Sequence, residues 1–158
     1  MVRYRLMAAI WLGLCILALG SCAPQPTAAT SQAQIPAVGP GMARVWFFRQ
    51  ADPTGGNVYA GSPIIYANGA PVGELPQGTV FFHDFSPGKY RFTVQSYGTP
   101  TPQHDTLQLV PGTDAYVQVQ WEANWETGHT GGSSFTVQAS SPEVARQYLP
   151  TLTDLGQR

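Results

Sequence analysis

The chain has 158 residues, with eight Lys and Arg against nine Asp and Glu and a formal net charge of −1. This balance excludes the basic stripe of a nucleic-acid binder, and two cysteines, Cys15 and Cys22, are too few for a disulfide framework. Seventeen glycines and 14 prolines beside only 11% charged residues read as a turn-rich β protein.

Arg3 and Arg5 precede an uncharged, proline-free run from Leu6 to Leu19. A positive start and an apolar run shorter than the ~20 residues of a transmembrane helix form the pattern of a secretory signal. Leu19-Gly20-Ser21-Cys22 closes the run. An aliphatic residue, two small residues and a cysteine resemble the lipobox of bacterial lipoproteins, in which the thiol takes diacylglycerol and the preceding residues are removed. Residues 1–21 are therefore the expected signal peptide and Cys22 the expected lipidation site. Burial of acyl chains contributes about 0.8 kcal/mol per CH2, enough for triacyl anchoring to be stable. Ala23, where an Asp would be a retention signal, resembles lipoproteins sent to the outer membrane and facing the periplasm.

Loss of residues 1–21 leaves 137 residues, the size of one domain. Six basic residues then face nine acids, a net charge of −3. With Cys22 acylated, no thiol remains for a disulfide or a thiolate metal site. Residues 22–40 are expected to be the anchor and a disordered tether, because Ala23 to Pro40 is uncharged, small and proline-rich and cannot bury a core.

Residues 41–156 carry the domain. Ala43 to Arg49 is rich in aromatic and β-branched residues and reads as a strand. Trp46 and Phe48 share one face and Val45 and Phe47 the other, so the strand is central or covered by a helix. Ser62 to Ala67 and Pro71 to Leu75 flank Asn68-Gly69, a pair that tolerates positive φ and marks a hairpin. Pro71 points to an edge position. Thr79 to Phe85 is a further strand. Ser86-Pro87-Gly88-Lys89 is a tight turn into Tyr90 to Gln95, where Tyr90, Phe92 and Val94 should face the core. Val110-Pro111-Gly112-Thr113 joins strands at Thr106 to Leu109 and Asp114 to Trp121. Phe135, Val137 and Ala139 mark the inward face of a last strand. Ser141-Pro142-Glu143 reads as an N-cap, a proline at N1 and a first-turn acid, opening the single expected helix, which Pro150 ends. About eight short strands with turn signals every 8–12 residues predict an all-β fold: one antiparallel β-sandwich, immunoglobulin- or transthyretin-like, with one short C-terminal helix.

The order of these motifs resembles a bacterial lipoprotein family, domain of unknown function 2846, and more loosely the PEGA-type surface modules. Ala43 to Arg49 is similar to the family's opening strand, Ile64 to Leu75 to its Asn-Gly…Val-Gly hairpin, and Phe85 to Tyr90 to its Pro-Gly-Lys turn. The resemblance spans Gly41 to Leu152 and implies an envelope lipoprotein built as a β-sandwich. It supplies no catalytic residue. Pro71 and the long segment around Trp125 depart from the pattern.

No nucleophile elbow, phosphate loop or paired-carboxylate motif occurs. His83-Asp84 and His104-Asp105 are neighbours on strands, so each pair points to opposite faces and forms no dyad. The three histidines lack metal-ligand spacing. No enzyme activity, cofactor or metal is expected. Residues 121–129 are the most suggestive segment. Trp121 fits the core face, whereas Trp125 falls outside any strand pattern. With Asn124, Glu126 and His129 it could form a platform for a sugar or peptide, tryptophan offering a large contact area and one donor. The alternative is that Trp125 covers the end of the core.

The expected function is that of a lipid-anchored envelope protein with a non-enzymatic interaction or structural module. Its partners would be the membrane, through the lipid, and another envelope protein or peptidoglycan. Glycan binding by the 121–129 segment is the runner-up, ahead of a hydrolase.

Overall fold

The computed structural model describes residues 35–51, 61–95, 103–122 and 134–158. Residues 35–158 form one compact unit. The fold is a β-sandwich with one short α-helix among the described residues. One sheet has five strands in the order β8-β7-β1-β4-β9 and the other four in the order β3-β2-β5-β6. The strands are β1 (Ala43–Arg49), β2 (Ile64–Ala67), β3 (Ala70–Glu74), β4 (Thr79–Phe85), β5 (Gly88–Val94), β6 (His104–Leu109), β7 (Asp114–Glu122), β8 (Ser134–Ser140) and β9 (Thr153–Gln157). Helix α1 (Pro142–Tyr148) runs into a 3-10 turn at Leu149–Thr151, so Pro150 prolongs the turn after the α-helix.

The alternation of side chains builds the core between the sheets. Val45, Phe47, Phe81, Phe92, Val94, Val117, Val119 and Phe135 point inward and are buried. Phe47 stacks on Phe81 at 5.1 Å and meets Phe92 edge-on at 5.4 Å, the tilted geometry that aromatic quadrupoles favour. Tyr90 packs at the margin of this core, and Ala139 is exposed. Gly73 faces the other sheet closely: a Cβ there would stand 3.1 Å from the Phe81 ring, so any larger residue in the Val-Gly hairpin motif would require that ring to shift.

The other face of β1 makes a second, smaller core. Phe48, Val80 and Ala145 are fully or almost fully buried there, with Trp46, Tyr116, Tyr148, Leu149 and Leu152 around them. Strand β1 is thus both central and covered by α1, which accounts for its apolar residues on both faces. Ser141 caps the helix by accepting from the Val144 amide, and Pro142 and Glu143 follow in the first turn.

The turns follow their residues. Asn68 and Gly69 have φ of 50° and 86° and join β2 to β3, and Gly112 has φ of 71° between β6 and β7. Strand β3, carrying Pro71, is an edge strand.

Two features go beyond the expected elements. Most pairings are antiparallel, but β1 pairs with β7, and β4 with β9, in parallel. Strand β9 was not predicted. It closes a crossover in which α1 carries the chain across the sheet from one edge, β8, to the other.

Candidate functional site

The topology sorts the connections between the two ends of the sandwich. At one end β1, β3, β5 and β7 finish and β2, β4, β6, β8 and β9 begin, as shown by the pairs Arg49↔Thr79, Ile64↔Glu74, Thr93↔His104, Glu122↔Ser134 and Thr79↔Thr153. Arg49 ties the two sheets together here, its Nη1 donating to the Gly61 carbonyl at 2.7 Å and lying 3.4 Å from that of Leu75. Segments 52–60, 96–102 and 123–133 all join strand ends at this end. The opposite end has the short turns at 68–69, 86–87 and 110–113. The chain also arrives there, Met42 donating to Gly39 and accepting from Gly112.

The first end holds a depression of about 330 Å³ lined by Arg49, Gln50, Val119, Gln120 and Trp121. Inward alternation from Val45 and Phe47 delivers Arg49 to the core side of β1, where it is 4% exposed. Its guanidinium lies 4.6 Å over the Phe135 ring. Burial pushes its pKa below the usual arginine value, yet a guanidinium remains charged at any physiological pH. Trp121 packs on the margin of the core, as its position in the strand predicts, and meets Phe135 edge-on at 5.2 Å. With Arg49 engaged by the Gly61 carbonyl and the Phe135 ring, the two carboxamides supply hydrogen-bonding groups beside the indole, a chemistry suited to a polar ligand.

Asn124, Trp125, Glu126 and His129 lie outside the described residues, as does Cys22. Of the predicted segment, Trp121 alone is described with its side chain, and it belongs to the depression. Arg49, Gln50 and Gln120 were not singled out from sequence. The signal for Arg49 was present: a basic residue ending an apolar strand, in step with inward-facing Val45 and Phe47.

Both His-Asp neighbours divide between faces. Asp84 receives Arg44 at 2.7 and 2.9 Å, while His83 meets the Arg158 carbonyl. Asp105 accepts from the Ala139 amide at 2.6 Å, while His104 stands 3.3 Å from Arg91 Nη2 on the other side. Among the described residues no group of three or more His, Cys, Asp or Glu is placed to hold a metal ion, and no helix is long and apolar enough to cross a membrane.

No protein-family model matches the chain, and no curated protein does.

Proposed function

We propose that this chain is a lipid-anchored cell-envelope protein whose β-sandwich serves as a non-enzymatic interaction module. The observation that carries the reading is the division of the domain between its ends. The chain from the expected tether arrives at the end with short turns, and, the α1 crossover at 141–152 apart, the three longest inter-strand connections (50–63, 95–103 and 123–133) leave from the other. An anchored domain built this way starts and ends these long segments at the end away from its point of attachment, the arrangement by which rigid scaffolds present binding loops. The lipobox-like Leu19-Gly20-Ser21-Cys22 and the resemblance of the hairpin motifs to an envelope lipoprotein family support the same reading. The non-enzymatic part is supported by Asp84 and Asp105, each of which is taken up by a structural hydrogen bond, to Arg44 and to the Ala139 amide, instead of pairing with its neighbouring histidine.

Glycan binding is the second reading. It is favoured by the depression, in which the Trp121 ring lies beside the side-chain amides of Gln50 and Gln120. Peptidoglycan is then the candidate ligand.

Photo-crosslinking from position 125 in living cells tests the module reading. One dominant adduct is expected, a protein under the first reading and a muropeptide under the second; absence of any adduct would remove the 121–129 segment from the contact surface. The anchor is tested by Cys22→Ala, which should abolish acyl labelling and release the protein from membranes. Labelling that persists in the variant would mean that the lipid sits elsewhere.

A further inference from the structure

Among the described residues, no helix or core cluster covers the outer face of the four-stranded sheet. The five-stranded sheet has α1 on its outside, but residues Lys89, Arg91 and His104 on the other sheet are exposed among the described residues. The register places them together: Arg91 lies opposite Thr106, Thr93 opposite both His104 and Tyr66, and Lys89 opposite Gln108. Arg91 Nη2 stands 3.3 Å from His104 Nδ1. No acid points outward from β2, β5 or β6. Asp105, the one acid on these strands, is turned to the Ala139 amide of β8. Glu74 lies on the far edge strand β3, beyond β2.

The charge is therefore sorted by face. The mature chain has a net charge of −3, yet this plane of hydroxyls and amides carries two permanent cations. Asp114 and Glu143 stand on the other side, beside the Trp46 indole and at the head of α1, with Arg146 in the last turn of the same helix and Arg44 paired to Asp84.

We propose that the outer face of the four-stranded sheet, centred on Lys89 and Arg91, rests on the anionic phospholipid headgroups of the membrane that holds the chain. The inference builds on the anchored-protein reading. Charge complementarity selects the face: Lys89 and Arg91 project from its middle strand pair, and Glu74, the acid nearest them in the sheet, lies on the edge strand β3. The 12 residues between Cys22 and Ile35, 13 Cα–Cα steps, span up to about 45 Å when extended, so a tether of that length lets the domain turn this face to the leaflet. Each basic side chain at an anionic leaflet favours contact about fivefold, so the pair favours it about 25-fold. That is too weak to recruit a free protein and sufficient to orient one already tethered. Hydroxyls of Tyr66, Thr93 and Thr106 would donate to phosphate oxygens between the two cations.

The test uses the lipid-modified protein in vesicles. After processing, Cys15 is gone and Cys22 is acylated, so a cysteine introduced by Thr106→Cys is the sole free thiol for a fluorophore. Gln138→Cys, exposed on the outer side of the other sheet, is the reference position. Quenching by headgroup-labelled lipid is compared in phosphatidylcholine vesicles and in vesicles containing phosphatidylglycerol. The expected result is quenching at 106 that exceeds quenching at 138 and requires phosphatidylglycerol. It should weaken with added salt and fall about 25-fold, as the ratio of near to distant populations, in Lys89→Gln/Arg91→Gln. Equal quenching at both positions, or quenching indifferent to lipid charge, overturns the proposal. Flotation with the vesicles separates the two readings. A protein that floats without selective quenching at 106 refutes the docking face alone, and one that floats with neither vesicle refutes the anchor as well.

Discussion

Arg44 shows how a charge is made tolerable inside this protein. It is 2% exposed, on the outer side of β1, with a bidentate bond to Asp84. Its Nη1 donates to the Pro36 carbonyl at 2.6 Å, and its guanidinium lies 4.0 Å from the centre of the Phe82 ring. A buried pair of this kind costs desolvation, and its partners matter most when one is removed. Asp84→Asn leaves the guanidinium without its counter-charge, and urea denaturation at neutral pH should show a loss of about 3 kcal/mol. The dependence on pH has a definite sign. The hydrogen bond from Arg44 holds the Asp84 carboxyl below the usual carboxylate range. A depressed folded-state pKa contributes stability above the unfolded-state value and loses it as pH falls through the folded one. The gap between the parent and Asp84→Asn should therefore be constant near neutrality and close below about pH 4. A gap that stays constant down to strongly acid solution would show that the carboxylate charge is not what stabilises Arg44.

At the scale of elements, the open seam of the sandwich is the informative place. Edge strands β6 and β8 belong to different sheets, and an unpaired edge is a hazard for association. Asp105 reaches across from β6 and accepts the outward amide of Ala139 on β8, as well as its own neighbour's amide at Thr106. One carboxylate thus occupies an edge donor of β8. Asp105→Ala should raise the hydrogen-exchange rate of the Ala139 amide selectively and cost about 1–3 kcal/mol in global stability. Unchanged exchange at Ala139 would mean that the seam is protected by other contacts. The elements also show what a sequence reveals. Strands β1 and β4 were legible to the residue because aromatic and β-branched runs ended at turn signals. Strand β9 was not. Thr153 to Gln157 holds one inward apolar residue, Leu155, and a glycine at φ of 77°, so its strand character comes from pairing with β4. Parallel pairing between strands far apart in the chain leaves no local mark, which is why β1·β7 could not be anticipated.

The whole molecule is organised by where the chain arrives. A proline-rich, uncharged stretch was expected to remain a tether as far as residue 40, since its composition offers no core residue. The compact unit begins at Ile35, because the acceptors are backbone carbonyls, which composition cannot reveal: Pro36 for Arg44, and Gly39 for the Met42 amide. The candidate site divides in the same way. Alternation placed Trp121 on the core margin, but the depression it lines needed Arg49 from a strand far away in sequence, and the topology brings them together. These points make the boundary testable. A domain beginning at Gly41 lacks the Pro36 carbonyl and leaves one side of the Arg44 guanidinium bare, whereas a domain beginning at Ile35 retains it. A hydrogen bond to a charged group contributes about 1.5–3 kcal/mol, so the shorter domain should unfold at correspondingly lower urea with a similar m-value. Equal stability of the two would place residues 35–40 with the tether. A loss in the expected range would set the lower limit of the folded module at Ile35 and leave 12 residues to span the distance to Cys22.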